Sequence, residues 1–224
     1  SCGNALGDTQ IAIVDSDSYQ KLQDGRVGEI WLDGTSKCTG YWNKPEMSKE
    51  IFEAEIVGQP EKKWLRTGDL GFLKNDELFV CGRVKDMIII RGQNYYPQDI
   101  ELLVEKDTKI RKGCVAAFSK VHNGQETLIL VAEVKKDREL PDVVAINNLL
   151  VSFVGIPAHE IVLIEARTIS KTSSGKIMRF KTRQNLDEDK LKIVKKIKLD
   201  YDTELLSSEI GAEVEEIKSF KELF

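Results

Sequence analysis

The stretch CVAAFSKVH-NG-QETLILVAEV, residues 114 to 134, constrains the fold more than any other part of this chain. Two apolar, β-rich runs flank Asn123-Gly124. Asn and Gly tolerate the positive φ angles that a two-residue type I′ turn requires, so the stretch predicts an antiparallel hairpin. Its apolar runs need cover, and the flanking sequence supplies it. DMIIIRG (86–92) predicts a strand. PQDIELLVEKDTKI (97–110) predicts a helix with Pro97 in its first turn, Asp99 and Glu101 near its positive end, and Ile100, Leu103 and Val104 at core spacing. Beyond the hairpin, PDVVAINNLLVSFVG (141–155) predicts a helix between Pro141 and Gly155, HEIVLIEA (159–166) a strand, and Ile177 to about Asn185 a short basic helix. The order β–α–β–β–α–β predicts a small α+β domain over 84–186, joined through RVKD (83–86) to what precedes it.

Residues 1–83 read as mostly β. IAIVD (11–15) and VGEIWLDG (27–34) predict strands, with Asp24-Gly25 turning the chain between them. EMSKEIFEAEI (46–56) predicts a helix with Pro45 in its first turn. WLRTGDLGFL and ELFVCGR predict a second hairpin through Asn75-Asp76. From Asp187 the character changes: DEDKLKIVKKIKLD reads as a solvated linker helix or coil. The final stretch regains helical periodicity, with Leu205, Ile210 and Val214 among its apolar positions. There is no initiating methionine and no signal peptide, so the start reads as a point inside a longer protein. No apolar run reaches membrane-spanning length.

A net charge of −4 gives no overall pull toward nucleic acid or anionic membrane. Cys2, Cys38, Cys81 and Cys114 are scattered and only His122 and His159 could join them, which excludes the common zinc spacings. Cys81 and Cys114 lie in apolar runs and read as buried thiols of a reduced, cytoplasmic protein.

Three polar, glycine-bearing clusters stand at the edges of these β elements: RTGD (66–69), GRVKD (82–86) and TSSGK (172–176). The last invites comparison with a P-loop, whose signature is G-x-x-x-x-G-K-[ST]. Ser170 stands where the first glycine belongs and Ile177 follows the lysine, so the P-loop reading fails. Singly, the three clusters read as a turn with a surface charge pair, a hairpin exit and a mobile loop.

Taken in order, WLRTGDLGFLKNDELFVCGRVKDMIIIRGQNYYPQDIE and the later SKTSSGKIMR resemble the C-terminal motifs of the adenylate-forming superfamily. That family includes acyl-CoA synthetases, peptide-synthetase adenylation domains and luciferases. The resemblance runs over about residues 1 to 186. Within the family, GRVKDMIIIRGQNYYPQDIE looks most like the fatty acyl-AMP ligases. The resemblance implies that 1–83 is the β-rich end of the large adenylation domain and 84–186 the small mobile C-terminal domain. It implies an enzyme joining a fatty acid to ATP, giving acyl-AMP and pyrophosphate, then passing the acyl group to the phosphopantetheine of an acyl carrier protein in lipid or polyketide synthesis. Mg²⁺ and the ATP phosphates would be bound by large-domain parts upstream of Ser1, so this chain alone is expected to be inactive. A long-chain acyl-CoA synthetase and a non-catalytic interaction module that kept the fold are the competing readings.

The resemblance also assigns roles. Asp69 grips the ribose hydroxyls, since a carboxylate accepts charge-assisted hydrogen bonds. Thr67 and the tightly turning Gly68 lie beside it, and Arg83 is the basic residue near the ribose. Lys176 is the adenylation lysine, a compact cation with three donors that bridges two mutually repelling anions. Thr172, Ser173, Ser174 and Gly175 are expected to give its loop flexibility, and Ser170, where relatives often have proline, to loosen it further. Lys85 is the hinge about which the small domain turns, and Gly92 borders the channel for the incoming thiol. Residues 187–224 read as a linker, with LLSSEIGAEVEEIKSFKELF resembling the first helix of a fused acyl carrier domain and equally an ordinary amphipathic terminal helix.

Overall fold

The computed structural model describes residues 1–136 and 139–199. The chain divides into two compact units, Ser1–Met87 and Ile88 onward, and its architecture is α+β.

The first unit is an antiparallel sheet. β1 (Gln10–Val14) and β2 (Gly28–Asp33) pair in register, after which the chain forms α1 (Pro45–Phe52), β3 (Ala54–Ile56), β4 (Gln59–Lys74) and β5 (Glu77–Arg83). β4, 16 residues long, is the spine: β2 pairs along one side, while β3 and then β5 share the other. The sheet buries Ala12, Val14, Trp31, Ile56 and Trp64 as its core. The β4–β5 hairpin turns through Asn75 (φ +52°) and Asp76 (φ +65°), between the paired Lys74 and Glu77. Two positive φ values are the mark of a type I′ turn. The helix predicted over 46–56 stops at Phe52. Ala54–Ile56 pairs with β4 instead, because Gly58 (φ +83°) lets Val57-Gly58 close a tight hairpin between Ile56 and Gln59.

A single 3₁₀ turn, Val84–Asp86, ends the first unit's regular structure. The second unit opens with β6 (Ile88–Ile90) and β7 (Gln93–Tyr95), a two-stranded ribbon where the sequence predicts one strand. α2 (Pro97–Val104), β8 (Ile110–His122), β9 (Gln125–Val134), α3 (Val143–Val154), β10 (Ala158–Ile164), α4 (Arg179–Asp187) and β11 (Ile193–Lys198) follow. The sheet order is β11-β10-β9-β8. β8 and β9 form the predicted hairpin, with Asn123 (φ +50°) and Gly124 (φ +77°) at its tip. β9 and β10 run parallel, joined across α3. That helix is capped by the Asp142 carboxylate, which accepts from the Val144 and Ala145 amides, and ends at Gly155 (φ +81°).

The sheet is covered on both faces. One face packs Leu128, Leu130, Ile161 and Leu163 against Ile100 and Leu103 of α2 and Ile146 and Leu150 of α3. The other packs Ala116, Phe118, Val131 and Val162 against Ile169, Leu186 and Leu191. α2 is shorter than predicted, since Ile110 is wholly buried as the start of β8.

Residues Ile193–Lys198 depart most from the sequence reading. They form an edge strand antiparallel to β10 rather than a solvated helix or coil. Lysines suit such an edge because they repel strand-to-strand association. The helical tail and carrier-like reading over 200–224 lies outside the described residues. No helix of the described residues is long and apolar enough to cross a membrane. Cys114 is buried as expected, whereas Cys81 is only half-buried.

Candidate functional site

The RTGD cluster sits in the middle of β4 at a bulge. Across β2 and β4, Glu29 faces Leu70 and Trp31 faces Arg66, so Thr67, Gly68 and Asp69 oppose Ile30 alone. Gly68 takes φ +73°, a left-handed conformation that a side chain disfavours. The bulge is locked by hydrogen bonds. Thr67 Oγ1 donates to the Ile30 carbonyl at 2.7 Å and accepts from the Asp69 amide at 3.1 Å.

Beneath it lies Glu29, only 2% exposed. Its Oε1 accepts the Gly68 amide at 3.1 Å, and its Oε2 accepts Arg66 Nε and Nη2, both at 3.0 Å. Arg66 also donates to the Tyr19 hydroxyl at 3.0 Å, and its guanidinium lies 5.2 Å from the Tyr19 ring centre. A buried charge is tolerated only when paired and hydrogen-bonded in this way.

Asp69 and Arg83 are cross-strand partners on β4 and β5, with Arg83 Nε donating to Asp69 Oδ1 at 2.9 Å. Their side chains are 37% and 70% exposed. Among the described residues, Asp69 Oδ2 has no hydrogen-bond donor. The site therefore offers an accessible carboxylate oxygen beside a guanidinium, a pair suited to neighbouring hydroxyls and an anionic group. Lys85 is the middle residue of the 3₁₀ turn and is exposed.

In the second unit, Gly92 (φ +74°) and Arg91 (φ +53°) make the two-residue turn between β6 and β7. A Cβ built on Gly92 would touch nothing within 4 Å, so its backbone angle, not crowding, favours glycine there.

The TSSGK cluster is a tight hairpin. Lys171 bridges to Ile177; the Thr172 amide donates to the Lys176 carbonyl at 2.9 Å and the Gly175 amide to the Thr172 carbonyl at 2.9 Å. Thr172 Oγ1 accepts the Lys176 amide at 3.0 Å, and Met178 donates back to the Ser170 carbonyl at 2.9 Å. The loosening expected at Ser170 gives way to a tether: its Oγ accepts Asn185 Nδ2 at 3.0 Å. Small hydroxyl residues here knit the turn together and do not leave it slack. The Lys176 ammonium itself has no hydrogen-bond or ion-pair partner among the described residues.

Both feet of this hairpin rest on buried carboxylates. Before it, Glu133 Oε1 accepts the Thr168 and Ile169 amides at 2.7 and 2.8 Å, while Oε2 pairs with Arg111. Burial pushes the Glu133 carboxyl up, but the amides of Arg167, Ile169 and Thr168 outweigh it and hold it below the usual carboxylate range. After the hairpin, Arg179 clamps Glu101, Nε to Oε1 and Nη2 to Oε2, both at 2.7 Å. Glu101 Oε1 also accepts the Ala117 amide at 3.0 Å. Beside the first foot, Lys171 Nζ donates to Cys114 Sγ at 3.2 Å; burial raises the thiol's pKa.

The sequence reading missed Glu29 and Glu133 and gave Glu101 only a helix-end role. A signal was present. Glu29 lies in GEIWL and Glu133 in LVAEV, and a carboxylate inside an apolar strand run demands a partner. What the run could not supply was the partner's identity.

No protein-family model matches the chain. Over 189 residues it is 44% identical to a protein of Moorena producens named medium-chain-fatty-acid–[acyl-carrier-protein] ligase JamA, covering 82% of this chain and 32% of that one. It is 39% identical over 198 residues to a Mycobacterium tuberculosis protein named "Probable long-chain-fatty-acid–AMP ligase FadD30", covering 82% and 33%. Among solved structures, one from a study of fatty acyl-adenylate ligases of E. coli and L. pneumophila superposes with a TM-score of 0.68 at 32% identity, covering 84% of this chain and 32% of that one. The chain thus spans about a third of the length of the curated relatives it matches.

Proposed function

This chain belongs to the adenylate-forming superfamily, among its fatty acyl-AMP ligases, and from that we propose a two-step activity for the complete enzyme. It activates a fatty acid with ATP and hands the acyl group to the phosphopantetheine of an acyl carrier protein. In the first step a fatty-acid carboxylate oxygen bonds to the α-phosphorus, and the bond to the departing pyrophosphate breaks. In the second, the pantetheine thiol, giving up its proton, attacks the acyl carbon and AMP leaves. This chain alone is inactive in this reading.

The observation that carries the reading is a pair of exposed, opposite charges on rigid supports: Asp69 on a locked bulge and an unpartnered Lys176 on a knitted hairpin. Asp69 accepts the two ribose hydroxyls, with Arg83 beside it. Lys176 neutralises the meeting of carboxylate and α-phosphate. Gly92 borders the path of the thiol. Magnesium, when bound, would neutralise charge on the ATP phosphates. Its ligands, with those of the ATP phosphates, are assigned by the family resemblance to the part of the enzyme outside this chain.

The acceptor is tested by offering the complete enzyme free coenzyme A or holo carrier protein. Rapid loading of the carrier and slow acyl-CoA formation are expected. Rapid release of acyl-CoA would make the protein an acyl-CoA synthetase.

Lys85 is the proposed pivot for the small domain between the steps. Lys85→Pro keeps φ at about −65°, within the 3₁₀ range found there. It should slow acyl transfer far more than adenylate formation, because proline fixes φ at the pivot. Single-turnover assays of each half-reaction check this, and normal transfer would remove Lys85 from the role.

A further inference from the structure

The two carboxylates under the Lys176 hairpin have no part in the chemistry just proposed. Glu133 projects from β9 and Glu101 from α2, and they are 1% and 7% exposed. One takes the amides of Thr168 and Ile169, just before the hairpin. The other accepts from Nε and Nη2 of Arg179, three residues past the lysine. Between these anchors the strand bridge, the Met178–Ser170 bond and the Thr172–Lys176 bonds leave the backbone of Lys176 tied within its own unit. Among the described residues, the lysine side chain itself has no partner.

We infer that Glu101 and Glu133 are positioning residues for Lys176, holding the two ends of its hairpin so that the ammonium projects from a fixed backbone. The inference rests on the proposed role of Lys176. It carries that role further by naming the buried side chains that fix the backbone from which the ammonium projects. Two ion-paired carboxylates, one at each foot, constrain the hairpin's tilt as well as its height. A single anchor would leave it free to swing. Glu101 also binds the Ala117 amide of β8, so the Lys176 hairpin's second foot is registered directly to the central hairpin.

Amide hydrogen exchange on the 224-residue chain reads this without any catalysis. In the unaltered chain the Gly175 and Lys176 amides, both donors inside the hairpin, should be protected. In Glu101→Gln they should exchange roughly tenfold to a hundredfold faster, as expected when a charge-assisted hydrogen bond is lost, while amides of β9 change little. Arg179→Lys, which keeps the charge but not the two-nitrogen fork, should give a smaller change in the same residues. Exchange of Gly175 and Lys176 at unstructured rates in the unaltered chain would overturn the inference. So would equal acceleration across β9 in both variants, which would make the pair merely structural.

In the complete enzyme, Glu101→Gln should slow adenylate formation and spare transfer from supplied acyl-adenylate. Equal loss in both would again mark a structural role. Failure of the unaltered complete enzyme to adenylate any fatty acid would sink the proposed function and leave the exchange result standing.

Discussion

Replacing Lys176 with alanine should lower adenylate formation by the complete enzyme on the order of a hundredfold or more, the loss typical for one group that stabilises transition-state charge. The carboxylate and the α-phosphate are both anionic, and their approach develops further negative charge on the phosphorus oxygens. The Lys176 ammonium has no competing carboxylate among the described residues, so its charge remains available to an arriving anion. Its backbone is fixed by the Thr172 bonds, which lowers the entropy lost when it engages. Arginine should not rescue: its planar fork and greater length place charge differently from a compact ammonium. Transfer from supplied acyl-adenylate should survive the alanine change, because the phosphorus chemistry is then already complete. Pyrophosphate release and thioester formation, measured separately, decide the matter; equal loss in both would contradict the assigned role.

How much of this was legible beforehand varies with the range of the interactions involved. The tips of both long hairpins, Asn75-Asp76 and Asn123-Gly124, follow from residues that accept positive φ, a property of a few atoms. The start of α2 at Pro97 and the end of α3 at Gly155 are local in the same sense. Ile193–Lys198 was not legible, because IVKKIK has too little apolar area to declare itself a strand. Its conformation is fixed by pairing with β10, some thirty residues earlier. The candidate site divides likewise. Asp69, Arg83 and Lys176 stand out as polar residues beside glycines. The opposition of Asp69 and Arg83 across β4 and β5, and the knitting of the 171–177 hairpin, depend on register that no short stretch encodes. Runs of Ser, Thr and Gly read as slack because glycine adds backbone freedom. Here Thr172 uses its hydroxyl on the backbone, the competing tendency of such side chains.

Glu29→Ala should strongly destabilise the first unit. It strips the partner from Arg66, whose side chain is 15% exposed, and leaves the Gly68 amide without its acceptor. Removing one member of a buried ion pair costs about 3–5 kcal/mol, because the remaining charge stays desolvated. The cost falls on the bulge, since Gly68 in its left-handed conformation is held by that amide bond. Asp69 then loses its fixed projection, and the affinity of the complete enzyme for ATP should fall with it. Adding Arg66→Leu to Glu29→Ala should recover part of the lost stability: no unpaired guanidinium then remains, and apolar replacements of buried pairs are often nearly neutral. It should recover none of the ATP affinity, because the Gly68 amide still lacks its acceptor. Trp31, 5.7 Å from the Arg66 guanidinium and fully buried, reports the transition directly. Urea unfolding followed by tryptophan fluorescence should show a lower midpoint for the single variant and an intermediate one for the double. An unchanged midpoint in Glu29→Ala would mean that the Arg66 charge is satisfied without it, and that the bulge presenting Asp69 needs no buried support.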